Sequence, residues 1–233
     1  MLQALLDQLN ALRAARRPAV SVALPSKGVI AVHAADAGPL IVAGRDITAA
    51  AAAALRLDQP QWVENGDAEA VFVNPHNPPL RLAIIGAVHI AQALAPMARL
   101  AGYDVRLIDP RTAFASPQRF PDTPIDERWP DEALEAFAPD TRSAIVTLTH
   151  DPKLDEPALT RALASPAFYI AALGSRRTHA ARLERLAQHG LDAAALARIH
   201  GPAGLAIGAR TPAEIALSIM AQMTAALRQP KAG

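Results

Sequence analysis

The order of apolar and polar residues predicts two different architectures along the chain. Before about residue 75 it predicts a small α+β unit, with a helix over about 2–15, an alanine-rich helix from about Thr48, and several short strands. From Leu80 onward, apolar runs that end in glycine or aspartate alternate with helical segments, which is the βαβ pattern of a parallel sheet covered by helices. We therefore predict an α/β fold: a Rossmann-like parallel sheet with flanking helices plus a small N-terminal α+β domain.

A cluster of turn-forming residues marks the predicted boundary between these domains. The segment Asn74-Pro75-His76-Asn77-Pro78-Pro79 consists almost entirely of proline and asparagine, which favour turns and interrupt strands. We place the linker there, so that the predicted domains cover residues 1–75 and 76–233.

Later elements of the second domain have clear sequence signals. SAIVTLTHDP is predicted to be a buried strand, followed by a helix over about 156–164, and FYIAALGS is predicted to be another strand. SRRTHAARLERLAQHG predicts a helix that stops at Gly190. The last helix is the best marked, because Thr211-Pro212-Ala213-Glu214 is a capping box with proline at the first helical position.

Composition excludes several classes of protein. The chain has 233 residues, of which 51% are hydrophobic and 54 are alanine. Because alanine is small and favours helices, we expect many helices packed closely on a thin sheet. It has no cysteine, which excludes disulfides, thiolate metal sites and a cysteine nucleophile. A net charge of +1 gives no electrostatic footprint for nucleic acid. No segment resembles a signal peptide or a membrane span, so we expect a cytoplasmic protein that binds neither nucleic acid nor membrane.

The first βαβ unit partly matches a dinucleotide-binding fingerprint. Gly86 ends its first strand and Asp109 ends its second, 23 positions later, near the spacing at which an acidic residue binds ribose hydroxyls. Ala91 is acceptable at the third position, but Val88 replaces the middle glycine, and its Cβ would narrow a phosphate site. Two interpretations stay open: a nucleotide site, or a tight turn at Gly86 with Asp109 capping a loop.

Three further loops are more polar than a scaffold requires. Thr149-His150-Asp151 follows one strand, and Gly174-Ser175-Arg176-Arg177 follows the next, where a glycine turn before a helix, beside two arginines, suits a phosphate. Alone, that second loop would be interpreted as a capped helix with solvated arginines. A glycine-rich loop over 200–210 precedes the last helix. Because parallel strands end at one edge of a sheet, the three loops together predict a pocket there.

Other polar residues are given structural roles. His33, His76 and His189 are isolated from other metal-ligating residue types, so we interpret them as surface or turn residues. The acidic pairs Asp126-Glu127 and Asp155-Glu156 lie beside prolines in polar segments and are expected to face solvent. With no nucleophile elbow and no paired metal ligands, the residues favour a binding pocket over a hydrolase.

Five ordered motifs in the second domain resemble one family. The chain is similar, over about Leu80–Leu227, to the C-terminal Rossmann domain of the xanthine dehydrogenase accessory (XdhC/CoxF-like) proteins. The motifs are IIGAVHIAQALAPMARLAGYDVRLIDPR, RFPDT, LTHDPKLDEPAL, YIAALGSRRTHAARLERL and IHGPAGLAIGARTPAEIALSIMAQM. The resemblance implies an assembly chaperone, not an enzyme. Such a protein binds the molybdenum cofactor, as molybdopterin or its dinucleotide form, supports its sulfuration by a cysteine desulfurase-type sulfur donor, and delivers it to a molybdenum hydroxylase apo-enzyme of the xanthine dehydrogenase type.

The resemblance also implies cofactor-binding roles for the loop residues. These residues are Gly86, His89, Asp109, Arg111, Thr149, His150, Asp151, Gly174, Ser175, Arg176, Arg177, His200, Gly201 and Gly204. We expect the two adjacent arginines and nearby N–H groups to bind a phosphate. Asp109 would bind a ribose or pterin donor, and two histidines, His150 and His200, would contact oxygens of the pterin or the metal centre. No catalytic residue and no metal ligand from the protein is implied.

The chain departs from the family pattern in two places. Members usually have a G-x-G-H turn, where this chain has Gly86-Ala87-Val88-His89, and an N-terminal cysteine motif that is missing here. We therefore interpret the N-terminal domain as shortened or diverged. Two other functions stay open: an NAD(P)-binding oxidoreductase, which the βαβ pattern would allow, and a non-catalytic partner protein that kept the fold and lost the pocket. The sequence also leaves open whether the chain forms a homodimer.

Overall fold

A computed structural model describes residues 2–65 and 68–229, and the chain divides into two compact units, Met1–Pro78 and Pro79–Gly233. The helices of the first unit are α1 (Leu2–Ala14) and α2 (Thr48–Leu57). Its strands are β1 (Ala19–Leu24), β2 (Gly28–Ala34), β3 (Ile41–Val42), β4 (Arg45–Asp46), β5 (Gln61–Asn65) and β6 (Ala68–His76).

The first unit is built on an antiparallel sheet with the strand order β2-β1-β6-β5. Successive strand residues point to opposite faces, so β1 supplies two cores. Val20 and Val22 pack with Ala51 and Ala54 of α2 on one face. Ala19 packs on the other face with the apolar side of α1. The observed α+β unit agrees in its elements with the pattern of the sequence.

The second unit alternates strands and helices along the chain. Its strands are β7 (Leu80–Ile85), β8 (Tyr103–Ile108), β9 (Ile125–Asp126), β10 (Ser143–Thr147), β11 (Tyr169–Ala172) and β12 (Ile199–His200). Its helices are α3 (His89–Leu100), α4 (Pro130–Phe137), α5 (Pro152–Leu163), α6 (Arg176–Gln188), α7 (Ala193–Leu196) and α8 (Pro212–Arg228).

These strands form a parallel sheet with the order β12-β11-β10-β7-β8-β9, covered by helices on both faces. Helices α3 and α8 bury one face, and α4, α5 and α6 bury the other. The central strand β7 is buried on both sides, which is why its apolar run does not alternate with polar residues. The Rossmann-like fold predicted from the sequence is confirmed.

Several local details differ from the sequence-based expectations. Strand β6 continues through Asn74–His76, so half of the predicted linker belongs to the sheet of the first unit. The helix expected over about 156–164 begins at Pro152, because Asp151 caps it and proline suits a first helical position. His76 is not a surface residue: it is half-buried, and its Nε2 lies 2.9 Å from the Ser21 hydroxyl.

Candidate functional site

The candidate site lies where the order of the parallel strands reverses. Strands β7 and β10 are neighbours at the centre of the sheet, and the chain leads from β7 to β8 on one side and from β10 to β11 on the other. In open α/β sheets this reversal leaves a crevice at the carboxyl ends of the strands, and ligands bind there. The loops after β7 and β10 therefore border the predicted pocket.

All the residues proposed from the sequence are at this carboxyl edge. Gly86 lies in the loop after β7, and His89 begins α3; Asp109 and Arg111 lie in the loop after β8; Thr149, His150 and Asp151 lie in the loop after β10. Gly174 and Ser175 lie in the turn after β11, and Arg176 and Arg177 begin α6; His200 ends β12, and Gly201 and Gly204 lie in the loop after it. Contacts of these residues join several of the loops to their neighbours.

Gly86 allows the loops after β7 and β10 to approach closely. Its φ of +111° is a backbone conformation that residues with a side chain rarely adopt. A Cβ at this position would lie 2.6 Å from Cγ2 of Thr149 and 3.2 Å from its backbone nitrogen. The glycine is therefore required by its close contact with Thr149, and Val88 two residues later is the extended residue that precedes helix α3.

Asp109 ties the loop after β8 to the loop after β7. Its Oδ2 accepts a hydrogen bond from the N–H of Ala87 at 2.8 Å. Arg111 donates its backbone N–H and Nε to Oδ1, both at 2.9 Å, and its Nη2 to Oδ2 at 2.8 Å. Burial alone would raise the pKa of Asp109, but these hydrogen bonds hold that pKa below its ordinary value.

Because of the same contacts, Asp109 has no free carboxylate oxygen to accept a hydrogen bond from a ligand in this conformation. Its side chain is fully buried, and both oxygens are occupied by protein donors. The side chain of Arg111 is 36% exposed and its guanidinium lies 5.0 Å from the centre of the Phe114 ring. Of the two residues predicted after β8, Arg111 is the one that solvent and a ligand can reach.

The loop after β10 is organised by Thr149. Its hydroxyl donates to Oδ1 of Asp155 at 2.6 Å and accepts from the backbone N–H of Asp151 at 3.1 Å. Asp151 in turn accepts from the N–H of Lys153 and caps α5. His150, between the two, has a positive φ of 63° and an exposed side chain. The loop thus exposes an imidazole to solvent, while the hydrogen bonds of Thr149 fix the backbone that carries it.

The turn after β11 has the features of an anion site. Gly174 has a φ of +147°, and the Ser175 hydroxyl caps α6 by accepting from the N–H of Thr178 at 3.1 Å. The N–H groups of the first helical residues have no partner within a helix and carry its positive dipole. Arg176 and Arg177 are exposed at this point. An oxyanion above the turn would meet both N–H donors and guanidinium charge.

The loop after β12 packs against α6 and α8. The His200 ring stacks on Tyr169 with the ring centroids 4.8 Å apart, and burial lowers the pKa of His200. The Tyr169 hydroxyl donates to Oε1 of Gln222 at 2.6 Å, and the N–H of Gly204 donates to the same oxygen at 2.9 Å. A side chain at Gly201 would overlap the ring of a neighbouring histidine of α6. His200 is therefore half-buried and packed, unlike the exposed His150.

The structure corrects the expectation that the two acidic pairs face solvent, but only for the aspartate of each pair. Asp126 and Asp155 are buried, whereas Glu127 is exposed as predicted. Asp126 accepts the guanidinium of Arg128, with Nε at 2.9 Å from Oδ1. Asp155 lies 3.6 Å from Nη2 of Arg182, whose side chain is only 3% exposed. The sequence placed these residues beside prolines in polar segments, and their partners are distant in the sequence or unmarked by any motif.

Arg119 also contributes to the site, although no role was predicted for it. Its Nη1 donates to the backbone oxygen of Ala87 at 3.0 Å, so it supports the loop after β7 from the long connection between β8 and β9. The sequence signal that could have identified it is its position in the RFPDT motif.

A cavity of about 730 Å³ lies between α4 and α5, on one helical face of the sheet. Its walls include Asp131, Glu132 and Glu135 of α4 and the first turn of α5. None of the residues proposed as cofactor ligands lines it. The carboxyl edge, where the glycine turns and exposed arginines are, has the better chemistry for an anionic ligand.

Two classes of feature are not found within residues 2–65 and 68–229. No group of three or more histidine, aspartate and glutamate side chains is placed to hold a metal ion. None of the helices in the same ranges combines the length and the apolar composition needed to cross a membrane.

The chain is similar to two proteins of Escherichia coli K12. It is 34% identical over 160 residues to the uncharacterized protein YqeB, covering 68% of this chain and 29% of that protein. It is 33% identical over 162 residues to the molybdenum cofactor insertion chaperone PaoD, covering 70% of this chain and 43% of that protein. The matches therefore span less than half the length of these relatives.

A solved structure and a family model define the relationship further. The crystal structure of a xanthine dehydrogenase from Bacillus halodurans superposes with a TM-score of 0.67 at 23% identity, covering 97% of this chain and 65% of that chain. At this identity the likeness establishes a shared fold. The family model described as the XdhC Rossmann domain matches residues 82–223, which include every loop of the candidate site. This chain belongs to the XdhC Rossmann domain family.

Proposed function

We propose that this chain binds the molybdenum cofactor as cargo and assists its insertion into a molybdenum hydroxylase of the xanthine dehydrogenase type. The observation that carries the proposal is the set of N–H and guanidinium donors in the turn after β11. This turn lies at the carboxyl edge of the sheet, one strand from the reversal of strand order where an α/β sheet binds its ligands. The relative named as a molybdenum cofactor insertion chaperone supports the same role. In this proposal the chain binds, orients and releases a ligand and performs no catalytic step.

The phosphate of the cofactor, or the pyrophosphate of its dinucleotide form, fits the turn after β11. Gly174 places no side chain above the turn, and the first N–H groups of α6 are available to an oxyanion. Arg176 and Arg177 are exposed there and add charge-assisted hydrogen bonds. Arg111, partly exposed across the crevice after β8, is the third cation near the edge.

The remaining part of the cofactor would meet the loop after β10. The exposed His150 supplies an imidazole for oxygens of the pterin or the metal centre, whereas His200 is packed against Tyr169. The chain contains no cysteine, so it has no thiol with which to carry sulfur or to ligate molybdenum. Sulfuration would therefore need a separate cysteine desulfurase-type donor acting on the bound cofactor.

The alternative of an NAD(P)-dependent oxidoreductase fits the site less well. A dinucleotide uses the acidic residue after the second strand to bind ribose hydroxyls. Here that residue, Asp109, is fully buried and already accepts hydrogen bonds from Ala87 and Arg111. Calorimetric titration with NAD and NADP separates the two functions: binding of either at micromolar concentration would favour the oxidoreductase.

Gel filtration with released cofactor tests the proposed function. The purified protein is mixed with molybdenum cofactor released from a molybdoenzyme, and molybdenum and pterin fluorescence are measured in the protein peak. We expect co-elution with the wild-type chain and at least about tenfold weaker binding after Arg176→Ala and Arg177→Ala together, since each change removes a charge-assisted contact worth more than about 1 kcal/mol.

A matched control removes two exposed arginines from the first unit, Arg45→Ala and Arg56→Ala, and leaves the carboxyl edge intact. This variant should bind like the wild type. Absence of co-elution with the wild-type chain, or equal loss in both double variants, would contradict the proposal.

A further inference from the structure

Three buried polar atoms at the exits of β10 and β11 have no hydrogen-bond partner within the described ranges of the chain. They are Thr147 Oγ1, Asp155 Oδ2 and Arg182 Nη1. The residues that carry them are 0%, 1% and 3% exposed. Because an unsatisfied buried polar group is costly, these atoms call for a functional explanation.

The ion pair between Asp155 and Arg182 reaches two loops of the candidate site at once. Oδ1 of Asp155 accepts from the Thr149 hydroxyl at 2.6 Å, in the loop after β10. Nη2 of Arg182 donates to the backbone oxygen of Leu173 at 3.0 Å, directly before the turn after β11. The same Nη2 lies 3.6 Å from Asp155 Oδ2, so one pair of side chains joins the two loops.

Arg182 also lies against the glycine turn itself. Its Nη1 is 3.9 Å from the position that a Cβ of Gly174 would occupy. Burial raises the pKa of Asp155, and the positive charge of Arg182 opposes that shift. Burial lowers the pKa of Arg182, and the negative charge of Asp155 opposes that shift. Each group therefore depends on the other to stay charged without solvent.

We propose that Asp155 and Arg182 form a positioning pair, which holds the loop 149–151 and the turn 173–177 in one arrangement so that both contact the same anionic ligand. Neither residue touches the ligand. The identity of the ligand rests on the function proposed above, whereas the coupling between the two loops does not. An anion at the α6 N-terminus would bind less tightly to a protein in which the two loops move independently, because binding would then have to order them.

A second ion pair between the same two helices provides a matched control. Glu156, one residue after Asp155, accepts from Arg185 Nε at 2.7 Å, and Arg185 is 41% exposed. This pair joins α5 to α6 as the first one does, but within residues 2–65 and 68–229 neither of its side chains is hydrogen-bonded to Thr149 or Leu173. If the substitutions act only by weakening the contact between α5 and α6, changes in either pair should therefore have the same effect on the two loops.

The experiment compares hydrogen–deuterium exchange in four single variants of the whole chain. Asp155→Asn keeps the shape and removes the charge, and Arg182→Lys keeps the charge and removes the second donor group. Glu156→Gln and Arg185→Lys make the same changes in the control pair. Binding of inorganic pyrophosphate is measured by calorimetry on the same samples.

We expect Asp155→Asn and Arg182→Lys each to accelerate exchange about tenfold or more in both loops, relative to the amides of α8, and to weaken pyrophosphate binding by a similar factor. A fifth variant that carries both Asp155→Asn and Arg182→Lys should change little beyond the larger single effect, since the two residues act as a unit. The control variants should leave the loops within about twofold of the wild type.

Two outcomes would overturn the proposal. One is acceleration of a single loop in each variant, which would mean that the pair does not couple them. The other is a uniform rise across the loops and α8, or an equal effect from the control pair, which would mean a structural role only. If the wild type bound no pyrophosphate while both loops still responded together, the phosphate site would fail and the positioning pair would stand. If Asp155→Asn did not fold, Arg182→Lys would decide by the same criteria, because it retains the buried charge.

Discussion

Replacement of Asp109 by asparagine separates a structural role from a ligand-binding role at the residue that most resembles a nucleotide-binding position. Each carboxylate oxygen accepts two hydrogen bonds: Oδ1 from the N–H and Nε of Arg111, and Oδ2 from Nη2 of Arg111 and the N–H of Ala87. An asparagine has one oxygen and one NH2 group, so in either orientation a donor group faces two donors. Two of the four bonds are lost whichever way the amide turns.

The size of the effect follows from those two bonds. Hydrogen bonds to a charged group contribute about 1.5–3 kcal/mol each, and the lower value applies because Arg111 is over a third exposed, so Asp109→Asn should lower the free energy of unfolding by about 3 kcal/mol. For a protein of this size the corresponding loss in Tm is about 6–12 °C. Urea titration and calorimetry measure the two quantities.

The chain contains a close control for this substitution. Asp126 makes the same two-residue fork with Arg128, whose Nε lies 2.9 Å from Oδ1 and whose Nη2 lies 2.6 Å from Oδ2. Within residues 2–65 and 68–229, no backbone N–H from another loop depends on the Asp126 carboxylate in the way that Ala87 depends on Asp109, and Arg128 is 49% exposed. Asp126→Asn should therefore destabilise the protein clearly less than Asp109→Asn.

A particular result would refute this account of Asp109. If Asp109→Asn unfolded at the same urea concentration as the wild type but bound the cofactor or a dinucleotide much more weakly, the carboxylate would act on the ligand and not on the loops. Equal losses of stability in the Asp109 and Asp126 variants would show that the cross-loop bond to Ala87 contributes nothing.

Two further predictions concern backbone conformation and pH. Gly86→Ala should cost about 1–3 kcal/mol in backbone strain and more from overlap with Thr149, whereas Gly102→Ala, which has a positive φ but open space, should show the strain alone; urea midpoints of the two variants compare them. Burial lowers the pKa of three histidines: His76, His179 and His200. As the pH falls through about 6.5, the unfolded chain binds protons on these imidazoles, whereas the folded chain binds them only at lower pH. The free energy of unfolding should therefore be constant above that pH and fall below it. Asp155 has a raised pKa in the folded chain, so its protonation acts in the opposite sense. A urea midpoint that rises between about pH 7 and pH 5.5 would contradict this reasoning.

The fold of the second unit could be predicted from the sequence because its signals are local. An apolar run such as that of β7 is buried on both faces and shows no alternation, and the capping box at Thr211 and Glu214 marks the start of α8 with both reciprocal hydrogen bonds present. The order of the loops along the chain also determined that their residues would share one edge of the sheet, since parallel strands end together. That rule predicted where the loops lie, and the family resemblance implied which of their residues bind a ligand.

The roles of individual side chains were decided only by tertiary structure. Asp109 matches a ribose-binding position by spacing, yet Arg111 and Ala87 occupy its oxygens, and a spacing rule carries no information about which donors reach a carboxylate first. The sequence predicts that Asp155 faces solvent, whereas it is buried beside Arg182, 27 positions away on another helix. Periodicity records which face of an element is apolar; it does not record the partner that makes a buried charge tolerable, because that partner is brought near only when the helices pack.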